Sequence, residues 1–217
     1  MQASLAAQQR LAVIMALLAG FIDAVAFLQC KTYVSFMSGN TTQAGFSITQ
    51  EKYGIVLTCM TAIVSFTTGV YAGTYALIGE GERTRIRLFR VISGILFFYV
   101  FLSHVLTIAQ TISVGVIAFA MGLMNTLITA VGKQAVNTDF VTGTLSTIAR
   151  QMALFTTAKN FADKQQSKKN ALRLLLIWLG FIGGAGLAVV CLQTFHSWVL
   201  CVPAGALWFL SYTYTRL

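Results

Sequence analysis

The stretch Val34–Gly45, VSFMSGNTTQAG, decides how this 217-residue chain folds, because it is polar and rich in Ser, Thr and Gly while long apolar runs flank it. A related stretch, TDFVTGTLS, covers Thr138–Ser146. In a membrane protein, irregular polar backbone is tolerated at membrane depth only where it is buried in protein or lines a water-filled cavity. The two stretches therefore predict where a functional cavity lies.

The composition identifies an integral membrane protein. Hydrophobic residues make up 57% of the chain and charged residues 10%, and the mean hydropathy is +0.76, which lies outside the range of soluble globular domains. The net charge of +9 would suggest nucleic acid for a soluble protein, but most Lys and Arg fall in two loops between apolar runs, as the positive-inside rule predicts. We expect the lipid bilayer as the environment and no nucleic-acid partner.

The cysteines give no sign of a metal or cofactor. All four stand singly, without C-x-x-C spacing or a matched pair of histidines, so neither a metal site nor a disulfide framework is indicated. We expect no metal and no cofactor.

Six apolar runs are long enough to cross a bilayer, for which a helix needs about 20 residues. They are Leu11–Cys30, Tyr53–Ile78, Leu88–Ile108, Ile112–Val131, Leu172–Gln193 and Trp198–Thr213. The segments Val34–Gln50 and Asn137–Thr157 are less apolar and contain the polar stretches, and the polar loop Lys159–Asn170 is expected to be a cytoplasmic connector.

The charge distribution favours a topology in which both of these less apolar segments re-enter without crossing. Of all Lys and Arg residues, only Lys31 and Lys52 then lie outside, whereas two crossings would move the cluster Arg83–Arg90 to the outer side, against the usual bias. We predict an all-α integral membrane protein with six transmembrane helices and both termini cytoplasmic.

The chain also contains an internal repeat. Gly20–Ala24 aligns with Gly122–Thr126, and each lies just before a polar stretch. Gly69–Gly73 aligns with Gly180–Gly184. Three spans per copy force the copies to run in opposite directions across the membrane. We predict one transmembrane domain over residues 1–217, built from two inverted three-helix repeats (about 11–108 and 112–214), each with a broken or re-entrant polar segment.

Asp23 is the first candidate site residue, since a charge inside an apolar span costs at least about 2.5 kcal/mol and should face the bundle or water. Its partner in the repeat is Asn125, which has the same shape without the charge. Asp23 is either a proton, cation or substrate site, or a structural acid that ties its helix to the polar stretch.

The polar stretches supply the other candidates. We interpret Ser38–Thr42 as a chain reversal followed by a helix N-terminus, in which Gly39 permits a positive φ and Asn or Thr caps N–H groups. Free N–H groups suit an anion and preceding carbonyls suit a cation, so the substrate charge stays open; alternatively, the hydroxyls merely cap broken helices. The full predicted set is Asp23, Ser38, Gly39, Asn40, Thr41, Thr42, Asn125, Asp139, Thr142, Gly143 and Thr144.

These motifs resemble the bacterial YoaK family, a family of small multi-pass membrane proteins defined by a domain of unknown function. The resemblance rests on Gly20-x-x-Asp23-Ala24 leading into Val34–Thr42, and on Gly122-x-x-Asn125 leading into Val141–Thr144. It covers nearly the whole chain and implies a protein of the bacterial cytoplasmic (inner) membrane, without implying a substrate.

Several function classes compete. Inverted repeats, broken helices and an intramembrane acid favour a secondary transporter of a small molecule or ion, with proton coupling as an option. A passive channel with paired half-helices would have a similar sequence. An aspartyl enzyme using Asp23 and Asp139 is disfavoured, because no G-x-G-D sequence is present and the partner of Asp23 is Asn125, so we expect no enzyme. A structural or signalling role is the last alternative. The small-xxx-small faces can pack either within the bundle or between protomers, and we predict a homodimer.

Overall fold

The computed structural model of the protein describes residues 5–127, 130–131, 134–135 and 141–214. In the first half these form α1 (Leu5–Cys30), α2 (Met37–Thr49), α3 (Tyr53–Leu77) and α4 (Glu82–Val105). The second half contains α5 (Gln110–Asn125), α6 (Val141–Thr157), α7 (Phe161–Phe195), a 3-10 turn (His196–Trp198) and α8 (Cys201–Thr213). Between α5 and α6, the two-residue strands β1 (Ala130–Val131) and β2 (Gln134–Ala135) pair antiparallel. The described structure is otherwise helical.

Among the described residues, four helices are long and apolar enough to cross a membrane: α1, α3, α4 and α7, the last together with the 3-10 turn that follows it. Helix α5 is apolar but shorter, with 16 residues, and α8 has 13. At 1.5 Å per residue these two helices measure only about 24 and 20 Å, against a hydrocarbon core of about 30 Å. Apart from the two short strands, the described part of the chain is thus that of a helical membrane protein with four candidate spans.

Several predicted helix boundaries are wrong, and two of them have a clear physical reason. Helix α5 ends at Asn125 rather than at Val131, because the Thr126 N–H and hydroxyl both donate to the Leu123 carbonyl and tighten the last turn. Helix α7 begins at Phe161 rather than at Leu172, and it runs for 35 residues. The polar segment expected to be a connector contains Ala, Lys and Gln, which are strong helix formers, so the helix continues through it.

The helices pack in a regular set of pairs. Helix α1 packs mainly on α7, and α3 mainly on α5; α2 lies against α3, α6 against α7, and α4 against α8. In α1, 67% of the apolar window is buried within the protein, against 22% in α3 and in α7. Helix α1 is therefore the centre of the bundle, while α3 and α7 turn much of their surface outward.

Close glycine contacts set the distance between α1 and α7. A methyl group on Gly20 would overlap the carbonyl oxygen of Phe181, and one on Gly184 would overlap the carbonyl oxygen of Leu17. The two backbones touch at this crossing, so no side chain fits between them.

Helices α3 and α5 cross in the same way. A methyl group on Gly69 would overlap the carbonyl oxygen of Phe119, and one on Gly122 would overlap that of Phe66. Gly73 also faces α5, at the Thr126 side chain. The small-residue faces are therefore used inside the protein.

Candidate functional site

A cavity of about 420 Å³ lies where these helix pairs meet. Its polar lining comes from α1, the α1–α2 loop, α2, α5 and α6, and comprises Asp23, Ser35, Ser38, Asn125 and Thr142. Its aromatic lining comprises Tyr33, Phe36, Phe66 and Phe181. The cavity thus combines a few polar groups with apolar walls, which is typical of small-molecule sites.

Asp23 organises the backbone on one side of the cavity. The side chain is 5% exposed, and its Oδ1 accepts hydrogen bonds from the N–H groups of Val34 (2.8 Å) and Ser35 (2.9 Å). Asp23 lies two helical turns before the end of α1 at Cys30, which is about 10 Å along the axis. The loop after α1 therefore turns back alongside the helix, and Lys31, with φ of 52°, makes that reversal.

The reversal differs from the sequence interpretation. Helix α2 already begins at Met37, so Gly39 is helical, and among the described residues the glycine with a positive φ is Gly79. The prediction of a positive φ at Gly39 is wrong, because Lys31 takes the left-handed conformation. Packing explains why a glycine occupies position 39, since a side chain there would overlap the ring of Phe36.

Asn40 is buried but is not a helix cap. Its Nδ2 donates to the carbonyl oxygen of Tyr33 at 2.7 Å, and this bond joins the loop to α2. The cap position Phe36 offers no side-chain hydrogen bond, and the first N–H bonded within the helix belongs to Asn40. The N–H groups of the first turn of α2 are therefore uncapped at the end that lines the cavity.

Four of the predicted site residues come together in the cavity: Asp23, Ser38, Asn125 and Thr142. Ser38 and Thr142 are the second residues of α2 and α6, so both short helices begin at the cavity.

The other predicted residues do not line the cavity. Thr41 and Thr42 are exposed on α2, and the Thr41 hydroxyl donates to the Met37 carbonyl at 2.8 Å. Gly143 and the buried Thr144 lie in the first turn of α6. Asp139 lies outside the described residues.

Sequence reasoning missed the aromatic walls supplied by α3 and α7. Phe66 and Phe181 both line the cavity, and each stands three residues before a glycine of a close helix contact, Gly69 and Gly184. The shared Phe-x-x-Gly pattern was the signal that could have found them.

The chemistry of the cavity is that of a polar binding site. Among the described lining residues Asp23 is the only acid, and no Lys, Arg or His accompanies it. Within the same described part of the chain, no group of three His, Cys, Asp or Glu side chains is placed to hold a metal ion. The arrangement can bind a small ligand by hydrogen bonds and apolar contacts.

The fold and the cavity together define a multi-pass α-helical membrane protein with an internal polar site. Residues 11–213 match the family described as "Protein of unknown function (DUF1275)", and the chain belongs to this family. It is similar to the UPF0700 transmembrane protein YoaK of Bacillus subtilis (strain 168), with 25% identity over 207 residues that cover 88% of this chain and 86% of that protein. The resemblance predicted from the motifs is confirmed. No solved structure matches the chain.

Proposed function

We propose that the protein is a secondary transporter of a small molecule or ion, with its substrate site in the cavity between α2 and α6. The observation that carries the proposal is the meeting of two short helix N-termini with Asp23 and Asn125 in one cavity. Transporters built from repeats place their substrate at the repeat interface, where helices are interrupted.

Matching contacts in the two halves support an inverted repeat. Gly20 and Gly184 contact Phe181 and Leu17 across the α1–α7 crossing. The shift in residue number that brings Gly20 onto Gly122 carries α1 onto α5, and the shift that brings Phe66 onto Phe181 carries α3 onto α7. Under these two shifts the same contacts recur across the α3–α5 crossing, between Gly122 and Phe66 and between Gly69 and Phe119.

A pair of polar contacts also corresponds under these two shifts in residue number. The Gln9 side chain donates to the Arg173 carbonyl at 2.9 Å between α1 and α7, and the hydroxyls of Thr111 and Thr58 lie 3.1 Å apart between α5 and α3. In this register the counterpart of Gly69 is Gly184. The sequence alignment of Gly69 with Gly180 is therefore out by one helical turn.

Two opposed copies around one cavity suit alternating access, because the break of each copy opens toward a different side of the membrane. We propose that both termini lie in the cytoplasm, on the charge distribution, and that the protein belongs to the bacterial cytoplasmic (inner) membrane, on its similarity to YoaK. A homodimer stays a prediction, and its interface must lie away from the small-residue faces, which pack inside the protein.

A passive channel is the second candidate, and the two short helices that begin at the same cavity favour it as well. The two functions differ in whether the cavity opens to both sides at once. We propose no enzymatic activity.

Cysteine accessibility distinguishes these functions without a known substrate. Ser38→Cys and Thr142→Cys are made separately in a variant whose four natural cysteines are replaced by alanine. Each protein is reconstituted and treated with a membrane-impermeant thiol reagent on one side, with and without a pH gradient. Gly81→Cys, in the exposed α3–α4 loop, is the control for sidedness.

A transporter predicts opposite changes on the two sides: conditions that raise the reaction rate from outside lower the rate from inside. Parallel changes from both sides would establish a channel and overturn transport by alternating access. Absence of reaction at both cavity positions would contradict both functions.

A further inference from the structure

We propose that the ligand of this cavity is a small amphipathic amine, whose ammonium group binds Asp23 and whose apolar body lies between Phe66 and Phe181. This inference rests on the proposed function, since it names the substrate class of the same site.

The Asp23 carboxyl has unused acceptor capacity. Both backbone N–H groups that reach it bind Oδ1, and the Ser35 hydroxyl lies close enough to the carboxyl to interact with it. That hydroxyl is itself buried and makes no hydrogen bond of normal geometry. A buried hydroxyl without a well-formed hydrogen bond is costly. A ligand that donates hydrogen bonds would satisfy Oδ2 and the Ser35 hydroxyl together.

The aromatic walls suit a cation that carries an apolar body. Phe66 and Phe181 enter the cavity from opposite helix pairs, and the rings of Tyr33 and Phe36 form an edge-to-face pair with centroids 5.4 Å apart. Aromatic faces attract ammonium groups and also provide apolar contact area. Neither property favours a small inorganic ion, whose hydration shell these walls cannot replace.

Charge balance decides between a cation and an anion. An anion would enter a cavity whose described lining contains a carboxyl and no basic side chain. The starts of α2 and α6 would each offer it about half a positive charge, but these partial charges stand at two separate helix ends, whereas an ammonium group would meet the single full charge of the Asp23 carboxylate. Pairing with a ligand of opposite charge also compensates the burial of Asp23.

The size of the cavity limits the ligand. A volume of about 420 Å³ lies at the lower end of the range for small-molecule pockets, which is about 300–1,000 Å³. A single aromatic ring with a short aminoalkyl chain fits, whereas a peptide or a nucleotide with several phosphates does not.

The test uses three probes that share one apolar body: 2-phenylethylamine (cation), 2-phenylethanol (neutral) and 3-phenylpropanoate (anion). Their binding to the full-length protein in lipid nanodiscs is measured by calorimetry. We expect the amine to bind at least tenfold more tightly than the alcohol, and the carboxylate to bind more weakly than both.

Variants assign the effect to the cavity. Asp23→Asn should lower amine affinity to that of the alcohol, while alcohol binding stays unchanged. Phe181→Leu should weaken both by a similar factor, because it removes a wall and keeps the backbone contact with Gly20. Asp163→Asn, which removes an exposed acid of α7, is the matched control and should change neither.

Three results would overturn the assignment: tightest binding by the carboxylate, an amine preference that survives Asp23→Asn, or no binding of any probe. The cysteine experiment is independent of these measurements. Alternating accessibility without amine binding would leave a transporter with another substrate, and amine binding without alternating accessibility would leave the amine site and remove the transporter.

Discussion

Asp23 connects the shape of the backbone to the chemistry of the cavity. Its Oδ1 holds the returning loop through Val34 and Ser35, while the side chain also lines the cavity. The sequence indicated Asp23 and Asn125, because an acid inside an apolar span is rare and its repeat partner is easily found. It did not indicate Lys31 as the left-handed residue, since a lysine has no intrinsic preference for that conformation.

Asp23→Asn should preserve the fold and abolish transport driven by a pH gradient. The asparagine carbonyl oxygen can still accept the two backbone bonds, whereas the amide cannot exchange a proton. Uptake of 2-phenylethylamine into proteoliposomes with an imposed pH gradient measures the effect, and gel filtration checks the fold. Uptake that kept its dependence on the gradient would make Asp23 a structural acid and remove proton coupling through it.

Glu51→Gly should stabilise the end of α2. Glu51 has φ of 56°, its N–H donates to the Ile48 carbonyl, and the Lys52 N–H donates to the Ser47 carbonyl, which is a Schellman motif with glutamate in the position that glycine prefers. Removing the left-handed strain should gain about 0.5–1 kcal/mol after the entropy cost of glycine. For a chain of this size that gain raises the melting temperature by about 1–4 °C.

The neighbouring variant Gln50→Gly is the control for Glu51→Gly. Gln50 has φ of −95°, so glycine there gains nothing and should lower the melting temperature. Thermal unfolding in detergent gives the melting temperature of each variant. Equal changes in melting temperature for the two variants would contradict the assignment of strain to Glu51.

At the scale of the elements, apolar length predicted the helices and could not predict how they cross. The close contact of α1 with α7 depends on which face each glycine occupies in three dimensions, and a Gly-rich motif can be aligned equally well one turn away. The end of α5 at Asn125 depends on side-chain bonding by Thr126, which hydropathy does not register.

Two adjacent glycines of α7 test the helix crossing. Gly184→Ala places a methyl group on the Leu17 carbonyl oxygen, whereas a methyl group at Gly183 meets no atom within 4 Å. We expect Gly184→Ala to destabilise the protein by about 1–3 kcal/mol through overpacking. Gly183→Ala should be neutral or stabilise the helix by up to about 1 kcal/mol. Thermal unfolding of both variants gives the comparison, and equal stabilities would show that the crossing relaxes freely.

At the scale of the whole molecule, one membrane topology must account for both the charge pattern and the packing of the helix pairs. The sequence predicted two less apolar segments beside the spans, and α2 and α6 are the short helices found there. The aromatic walls were not predicted, because the alignment of Gly69 with Gly180 proposed from the sequence leaves Phe66 and Phe181 in unrelated positions.

Single cysteines at Gly81 and Gln166 test the topology. Both residues are exposed, one between α3 and α4 and the other in the polar start of α7. Both should react with an impermeant reagent only from the cytoplasmic side, because Lys and Arg concentrate around them. If α2 and α6 crossed the membrane, the label at Gly81 would change sides while that at Gln166 would not.

The length of α7 has a mechanical consequence. Its 35 residues extend about 52 Å, roughly 20 Å more than a bilayer core, and the surplus lies at the polar end that begins with Phe161. Helix α1 still contacts α7 at Arg173 through the Gln9 side chain, so the part of α7 beyond that contact forms an arm of about 18 Å that ends at Phe161. A rocking motion of about 10° about that contact would move the tip by about 3 Å. A pair of spin labels there would magnify conformational changes that are barely measurable beside Asp23.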